Sequence, residues 1–244
     1  MKNIRYYGFT LIELSMVILV IGLIVGGTVV GIHLISAAKL RGILTEQEQY
    51  ATAVAAFKNK YRQLPGDMSR PAQFFGSEFF YDIQGNGDVF GDNNGVISVG
   101  ESSFAWKQLF LAGLSDRDVA DMYNYLTFDN GYWSLRTAMH ANSAPSRYEQ
   151  NAIWVFGRRH RTSSTTLFFG TRFGGQLPVG GVIKDIDLMG MDSKMDDGNP
   201  QKGLITLVND DEVSGAEKGC YDEVTGNYTG TGQKLCSFEK LLGF

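Results

Sequence analysis

Three histidines, two cysteines and 26 acidic side chains carry most of the chemistry available to this chain. His33 falls in an apolar run, His140 in a polar stretch, and His160 inside the positive run Arg158, Arg159, His160, Arg161. No H-E-x-x-H, G-x-S-x-G, phosphate-loop or dinucleotide fingerprint occurs. Carboxylates are plentiful, but nothing in their order singles out an acid and a base, so the expectation is that the protein is not an enzyme.

Oxygen donors gather in two places. In the first, Asp92, Asn94, Gly95, Ile97 and Glu101 fall at the third, fifth, sixth, eighth and twelfth positions of an EF-hand-type calcium loop. Its first position, normally an acid, is Phe90, and Asp88 is the neighbour that could substitute. Calcium held by Asp88, Asp92, Asn94 and Glu101 is therefore one reading, and an Asn/Gly turn between strands is the other. The missing first ligand weighs toward the turn. No cofactor is required, and calcium is the one the sequence admits. The second stretch, Asp185, Asp187, Asp192, Asp196 and Asp197, reads as a solvated loop in preference to a ligand cluster.

Composition bounds what these groups can be doing. The chain has 244 residues, 43% of them apolar, with a formal net charge of −4. One core of ordinary size fits that length, and the acidic balance argues against a nucleic-acid coat. Arg158, Arg159 and Arg161 beside Trp154 and Phe156 could meet DNA, a lipid headgroup or an acidic neighbour, although a solvated loop is the expectation. Cys220 and Cys236 lie close together and read as a disulfide if the compartment is oxidising.

The elements that must position these groups begin with a helix. From Leu14 to Ala38 there is no charged side chain, and as a helix this run would reach about 37 Å, enough to cross a bilayer core of about 30 Å. Glu13 at its head is an acid in an apolar entry segment, which costs about 2.5–3.5 kcal/mol on insertion scales and marks a functional residue. With Thr10 it could also form a capping box. Gly22, Gly26, Gly27 and Gly31 have the small-residue spacing that lets helices approach closely. Further on, Leu40, Ile43, Gln47, Tyr50, Val54, Phe57 and Tyr61 make one apolar stripe, with Arg41, Glu46, Gln49, Lys58 and Lys60 on the opposite faces. Leu64-Pro65-Gly66-Asp67 ends the helix.

Beyond it, a helix is predicted over Ser102–Leu114 and another over Val182–Met191. Strands are predicted over Tyr132–Ala138, Ala152–Phe156, Thr166–Phe173 and Leu204–Val208. These give an α+β fold, a long N-terminal membrane-spanning helical stem packed on a C-terminal head with an antiparallel sheet.

Gly8-Phe9-Thr10-Leu11-Ile12-Glu13, after a short leader with Lys2 and Arg5 and before the apolar run, resembles the cleavage and methylation motif of type IV prepilins and type II secretion pseudopilins. Leu64-Pro65-Gly66-Asp67, Trp106, Leu109, Ala112-Gly113-Leu114 and Asp196-Asp197-Gly198 resemble a subgroup of pseudopilin-like proteins. The resemblance implies a pilin-like head and a division into leader 1–8, stem helix 9–61 and periplasmic head 62–244. It implies cutting after Gly8 by a prepilin peptidase and methylation of the new Phe9 amine. Phe9 and Glu13 would then pair between subunits and set their register. The implied partners are other pilin or pseudopilin subunits and an inner-membrane assembly platform, with single-pass insertion before extraction into a filament. The alternative is a signal peptide cleaved after Ala38, which would release an exported enzyme or binding protein.

Overall fold

The structure is a computed structural model that describes residues 8, 10–76, 91–116, 127–129, 132–134, 143–149, 151–158, 164–171, 178–208, 219–232 and 235–243. Helix α1 spans Leu11–Tyr61. The chain divides into two compact units, Met1–Gly42 and Ile43–Phe244, so the boundary falls within α1.

In the first unit the described side chains of α1 are nearly all exposed, Leu11, Met16, Leu19, Leu23 and Ile24 among them. Its most apolar window has a mean hydropathy of 2.5, long and apolar enough to cross a membrane. Among the described residues, a Cβ added at Gly22, Gly26, Gly27 or Gly31 would meet nothing within 4 Å.

The second unit is an antiparallel sheet against which the end of α1 packs. Its five strands run in the order β3-β4-β5-β9-β7, formed by β3 (Ala144–Pro145), β4 (Ala152–Arg158), β5 (Thr165–Thr171), β7 (Ile205–Leu207) and β9 (Phe238–Leu241). Two smaller pairs accompany it, β1 (Thr127–Asp129) with β2 (Tyr132–Ser134) and β6 (Ile183–Lys184) with β8 (Leu235–Cys236). The helices of this unit are α2 (Ala72–Phe75), α3 (Ser102–Leu111) and α4 (Asp185–Met195), besides the last turns of α1. The α+β architecture with its antiparallel sheet is the one expected from the pattern of apolar runs.

Register explains the core. Trp154 pairs with Phe169, and Phe169 with Phe238, so three aromatic rings line one face across β4, β5 and β9. Their centroids lie 4.4 Å and 5.3 Å apart. Tyr50 of α1 meets Trp154 at 6.1 Å and Trp106 of α3 at 4.7 Å, while Trp106 meets Phe156 at 4.3 Å. Each such side chain taken out of water stabilises the unit by about 1.5–3 kcal/mol, and edge or tilted ring contacts add about 0.5–1.5 kcal/mol. The other face carries Ile153, Val155 and Phe168, with Val208 packed against them.

The stripe on α1 is buried where periodicity places it, at Ile43, Gln47, Tyr50, Val54 and Phe57. Leu40 and Tyr61 at its two ends are half-buried, and on the opposite faces one residue departs from the pattern. Glu46, expected on the solvent side, is buried. Strand boundaries shift slightly, since β5 begins at Thr165 and β7 at Ile205, and β4 runs on to Arg158. The helix predicted over Val182–Met191 begins later, at Asp185, because Ile183 and Lys184 pair with β8.

Candidate functional sites

The helix entry is built by three hydrogen bonds. Thr10 donates to Glu13 Oε2 from its backbone N–H at 2.9 Å and from its hydroxyl at 2.8 Å, and the Glu13 N–H reaches back to Thr10 Oγ1 at 3.3 Å. This is the reciprocal capping box that the spacing allows, satisfying amides with no earlier partner in the helix. Glu13 is exposed and Gly8 is described, whereas Phe9 and residues 1–7 lie outside the described residues.

The first group of oxygen donors is assembled around a residue that sequence reading treated only as part of a helix stop. Asp67 is buried and lies within 4.8 Å of Asp92 and Glu101, taking one carboxylate oxygen of each. Its Oδ1 accepts the Asn94 N–H at 3.0 Å and its Oδ2 the Gly95 N–H at 2.8 Å. The segment 91–95 can lie this close only because residue 91 is glycine, where a Cβ would fall 1.9 Å from the Asp67 carbonyl carbon. Asp67 thus brings a carboxylate to a loop whose own first position is Phe90. Asp88 lies outside the described residues.

Every carboxylate oxygen of this trio already accepts a hydrogen bond. Asp92 takes the Asn94 N–H at 3.2 Å on Oδ1 and the Asn94 side-chain amide at 2.8 Å on Oδ2. Glu101 takes the Asp92 N–H at 3.4 Å and the Ser98 N–H at 2.7 Å. Asn94 also turns the chain, its Oδ1 accepting the Val96 N–H. Burial pushes the Asp67 carboxyl up to about 6, against the pull of the Gly95 and Asn94 amides, with Glu101 and Asp92 adding to the rise. The arrangement offers hard oxygen donors of the kind calcium takes, and the same donors fold the loop by themselves.

The second acidic stretch differs from the solvated loop expected of it. Asp185 and Asp192 lie seven residues apart on α4, on one face, and both are fully buried. That face holds the loop closed by the Cys220–Cys236 disulfide, whose Cα atoms are 5.9 Å apart. Asp185 Oδ2 accepts from the Thr229 hydroxyl at 2.7 Å and from the Thr231 N–H and hydroxyl at 2.8 Å and 3.0 Å. Burial alone would raise the Asp185 carboxyl, but these donors more than offset it and hold it below the usual range. Asp192 Oδ2 accepts the Tyr228 hydroxyl at 2.9 Å. Here burial dominates and pushes Asp192 up to about 6, opposed by Tyr228 and reinforced by Asp196 and Asp197.

Of the positive run, Arg158 is exposed at the end of β4, and Arg159, His160 and Arg161 lie outside the described residues, as does His140. A site that sequence reading missed is centred on Glu46. Its Oε2 accepts the Ser146 hydroxyl at 2.5 Å and the Trp154 indole N–H at 2.8 Å, and its Oε1 accepts the Arg147 N–H at 2.8 Å. These donors come from the residues following β3 and from β4, about a hundred positions away, and no local spacing could have announced them.

Fold and sites together define an α+β protein with an apolar N-terminal helix, of the kind that serves as a membrane anchor or a signal, and a disulfide-closed sheet domain. Compared with protein-family models, curated proteins and solved structures, the chain matches none.

Proposed function

We propose that the protein is a structural subunit of a bacterial envelope filament, a pseudopilin of type II secretion or a minor pilin of a type IV pilus. The observation that carries this reading is Gly8-Phe9-Thr10-Leu11-Ile12-Glu13 at the head of an exposed apolar helix that runs on into an antiparallel-sheet domain. On this reading a prepilin peptidase cuts after Gly8 and methylates Phe9. The subunit then waits in the inner membrane with its head in the periplasm, where an oxidising environment suits the Cys220–Cys236 disulfide. An assembly platform draws subunits out, and the apolar side chains of α1 that are exposed among the described residues pack on those of other copies.

Glu13 supplies the register. A carboxylate and the Phe9 ammonium of an adjoining copy, both removed from water, each need the other. In the capping box both donors to the Glu13 carboxylate come from Thr10 of the same copy, so the box can form before assembly.

Sequencing the mature N-terminus tests the reading. Methylated Phe9 is the expected start. A second reading, an exported protein cleaved after Ala38, is favoured by the unit boundary at Gly42, since that cut would leave the whole of the second unit intact. A start at Lys39 would establish it and discard the filament.

A further inference from the structure

We propose that Asn94-Gly95 is a latent deamidation site, and that the buried Asp67 carboxylate keeps it closed by holding the Gly95 N–H. The inference stands on this loop alone and does not depend on the filament reading. Asparagine followed by glycine is the pair most prone to lose its side-chain amide, because glycine puts no side chain in the way of the reaction. Both residues are exposed here, so water reaches them. The turn nevertheless needs the pair. Gly95 has a φ of +83°, which L side chains rarely adopt. Asn94 accepts the Val96 N–H at 2.8 Å and donates its side-chain amide to Asp92 Oδ2 at 2.8 Å.

The reaction begins at the Gly95 nitrogen, which loses its proton and attacks Asn94 Cγ. A bond forms between the two atoms, the Cγ–Nδ2 bond breaks, and the side-chain nitrogen leaves with the proton as ammonia. Water then opens the succinimide at one of its two carbonyls and leaves aspartate or isoaspartate at 94. The Val96 N–H on Asn94 Oδ1 draws electrons away from Cγ and so favours the attack. Restraint therefore has to come chiefly from the nucleophile.

Asp67 supplies that restraint. Its Oδ2 accepts the Gly95 N–H at 2.8 Å, and its Oδ1 accepts the Asn94 N–H at 3.0 Å. Taking the proton from Gly95 would set an amide anion against a carboxylate at hydrogen-bond distance, and Asp67 is shielded from the water that would screen the two charges. The loop is also tied to the Asp67 main chain, since the Asn93 N–H donates to the Asp67 carbonyl at 3.1 Å. The carboxylate and the nitrogen it holds are thus kept in place from both sides. Conversion would disrupt the loop. A carboxylate at 94 cannot donate to Asp92, and it would add a negative charge to a group that already holds Asp67, Asp92 and Glu101. Isoaspartate would also lengthen the main chain inside the turn.

The test incubates the full chain in detergent micelles at one mildly alkaline pH and follows aspartate and isoaspartate at 94 by peptide mapping. The native wild-type chain should convert at least about tenfold more slowly than the same chain unfolded in guanidinium, the factor to which one charge-assisted hydrogen bond corresponds. Asp67→Asn keeps the shape of the side chain and loses its charge, and should convert faster than wild type by about the same factor. Glu101→Gln, whose bonds go to the Asp92 and Ser98 N–H groups and not to Gly95, should convert at the wild-type rate. Should Asp67→Asn fail to fold, hydrogen exchange at the Gly95 N–H of the wild-type chain decides, with protection expected despite the exposed position. A wild-type chain that converts as fast as its unfolded form would overturn the inference. So would wild-type slowness in Asp67→Asn, equal acceleration by Glu101→Gln, or unprotected exchange at Gly95.

Discussion

Glu13 stands in the apolar half of α1 and is exposed, whereas Glu46 stands in its polar half and is 4% exposed. The difference lies in where their donors come from. Glu13 is satisfied by Thr10, three residues away, and needs nothing beyond the first turn of its own helix. Glu46 is satisfied by Ser146, Arg147 and Trp154, groups that the sheet brings to it. A carboxylate goes inside a domain when enough donors converge on it, whatever the hydropathy of its neighbours in sequence. The converse matters for function. Glu46 is fully used in holding α1 to β4 and the turn after β3, while the donors to Glu13 come from Thr10 of its own helix start.

The largest effect should come from emptying the buried position. Glu46→Ala leaves an indole N–H, a hydroxyl and a backbone N–H without their acceptor, and a cavity where the side chain was. We expect a loss of about 3 kcal/mol in denaturant unfolding of the full chain in micelles. A loss under 1 kcal/mol would mean that water or another group takes over, and the contrast with Glu13 would fail. Trp154→Phe is the milder version. It preserves most of the ring stack with Phe169 and Phe238 but removes one charge-assisted bond, for an expected cost of about 2 kcal/mol in the same assay.

Much of this was legible beforehand, and the failures have a common cause. The stripe from Ile43 to Phe57 and the aromatic runs of β4 and β5 are local patterns, and burial follows them. Strand β9 escaped notice because Phe238-Glu239-Lys240-Leu241 is half charged. Its place between β5 and β7 is set by pairing with Phe169 and Leu207 and by the bond from Thr206 to Glu239 at 3.0 Å. Glu46, Asp67, Asp185 and Asp192 were misjudged or passed over for the same reason. Sequence displays a charge, but the donors that let it be buried are distant backbone amides, hydroxyls and an indole. The calcium-loop register was informative in part, because Asn94 and Gly95 do turn the chain. The acid that joins Asp92 and Glu101 there, Asp67, comes from the segment that follows the first helix and not from the loop.

A third substitution asks whether burial of polar groups at this seam is itself stabilising. Gln47 is 1% exposed, and its side-chain oxygen finds no donor among the described residues. Gln47→Met keeps the length of the side chain and removes the unsatisfied acceptor, so unfolding should become harder by about 1 kcal/mol. Destabilisation instead would indicate that the Gln47 amide, next to the well-partnered Glu46, contributes through bonds of its own.

The smallest effect on stability belongs to Glu13, and it is the sharpest test of the contrast. Glu13→Ala removes the acceptor of two hydrogen bonds at an exposed helix start, both of them given by Thr10. The unfolding midpoint of the sheet domain, followed by the fluorescence of buried Trp106 and Trp154, should therefore not move, and membrane insertion should persist because the apolar run is untouched. What should fail is incorporation of processed subunits into filaments, scored in cells by shearing and recovery of surface or periplasmic fibres. A chain that folds, inserts and is cut after Gly8 yet does not assemble would place the Glu13 charge between copies. Efficient incorporation of Glu13→Ala would reduce Glu13 to the helix cap it makes with Thr10, and register would have to come from the apolar faces alone.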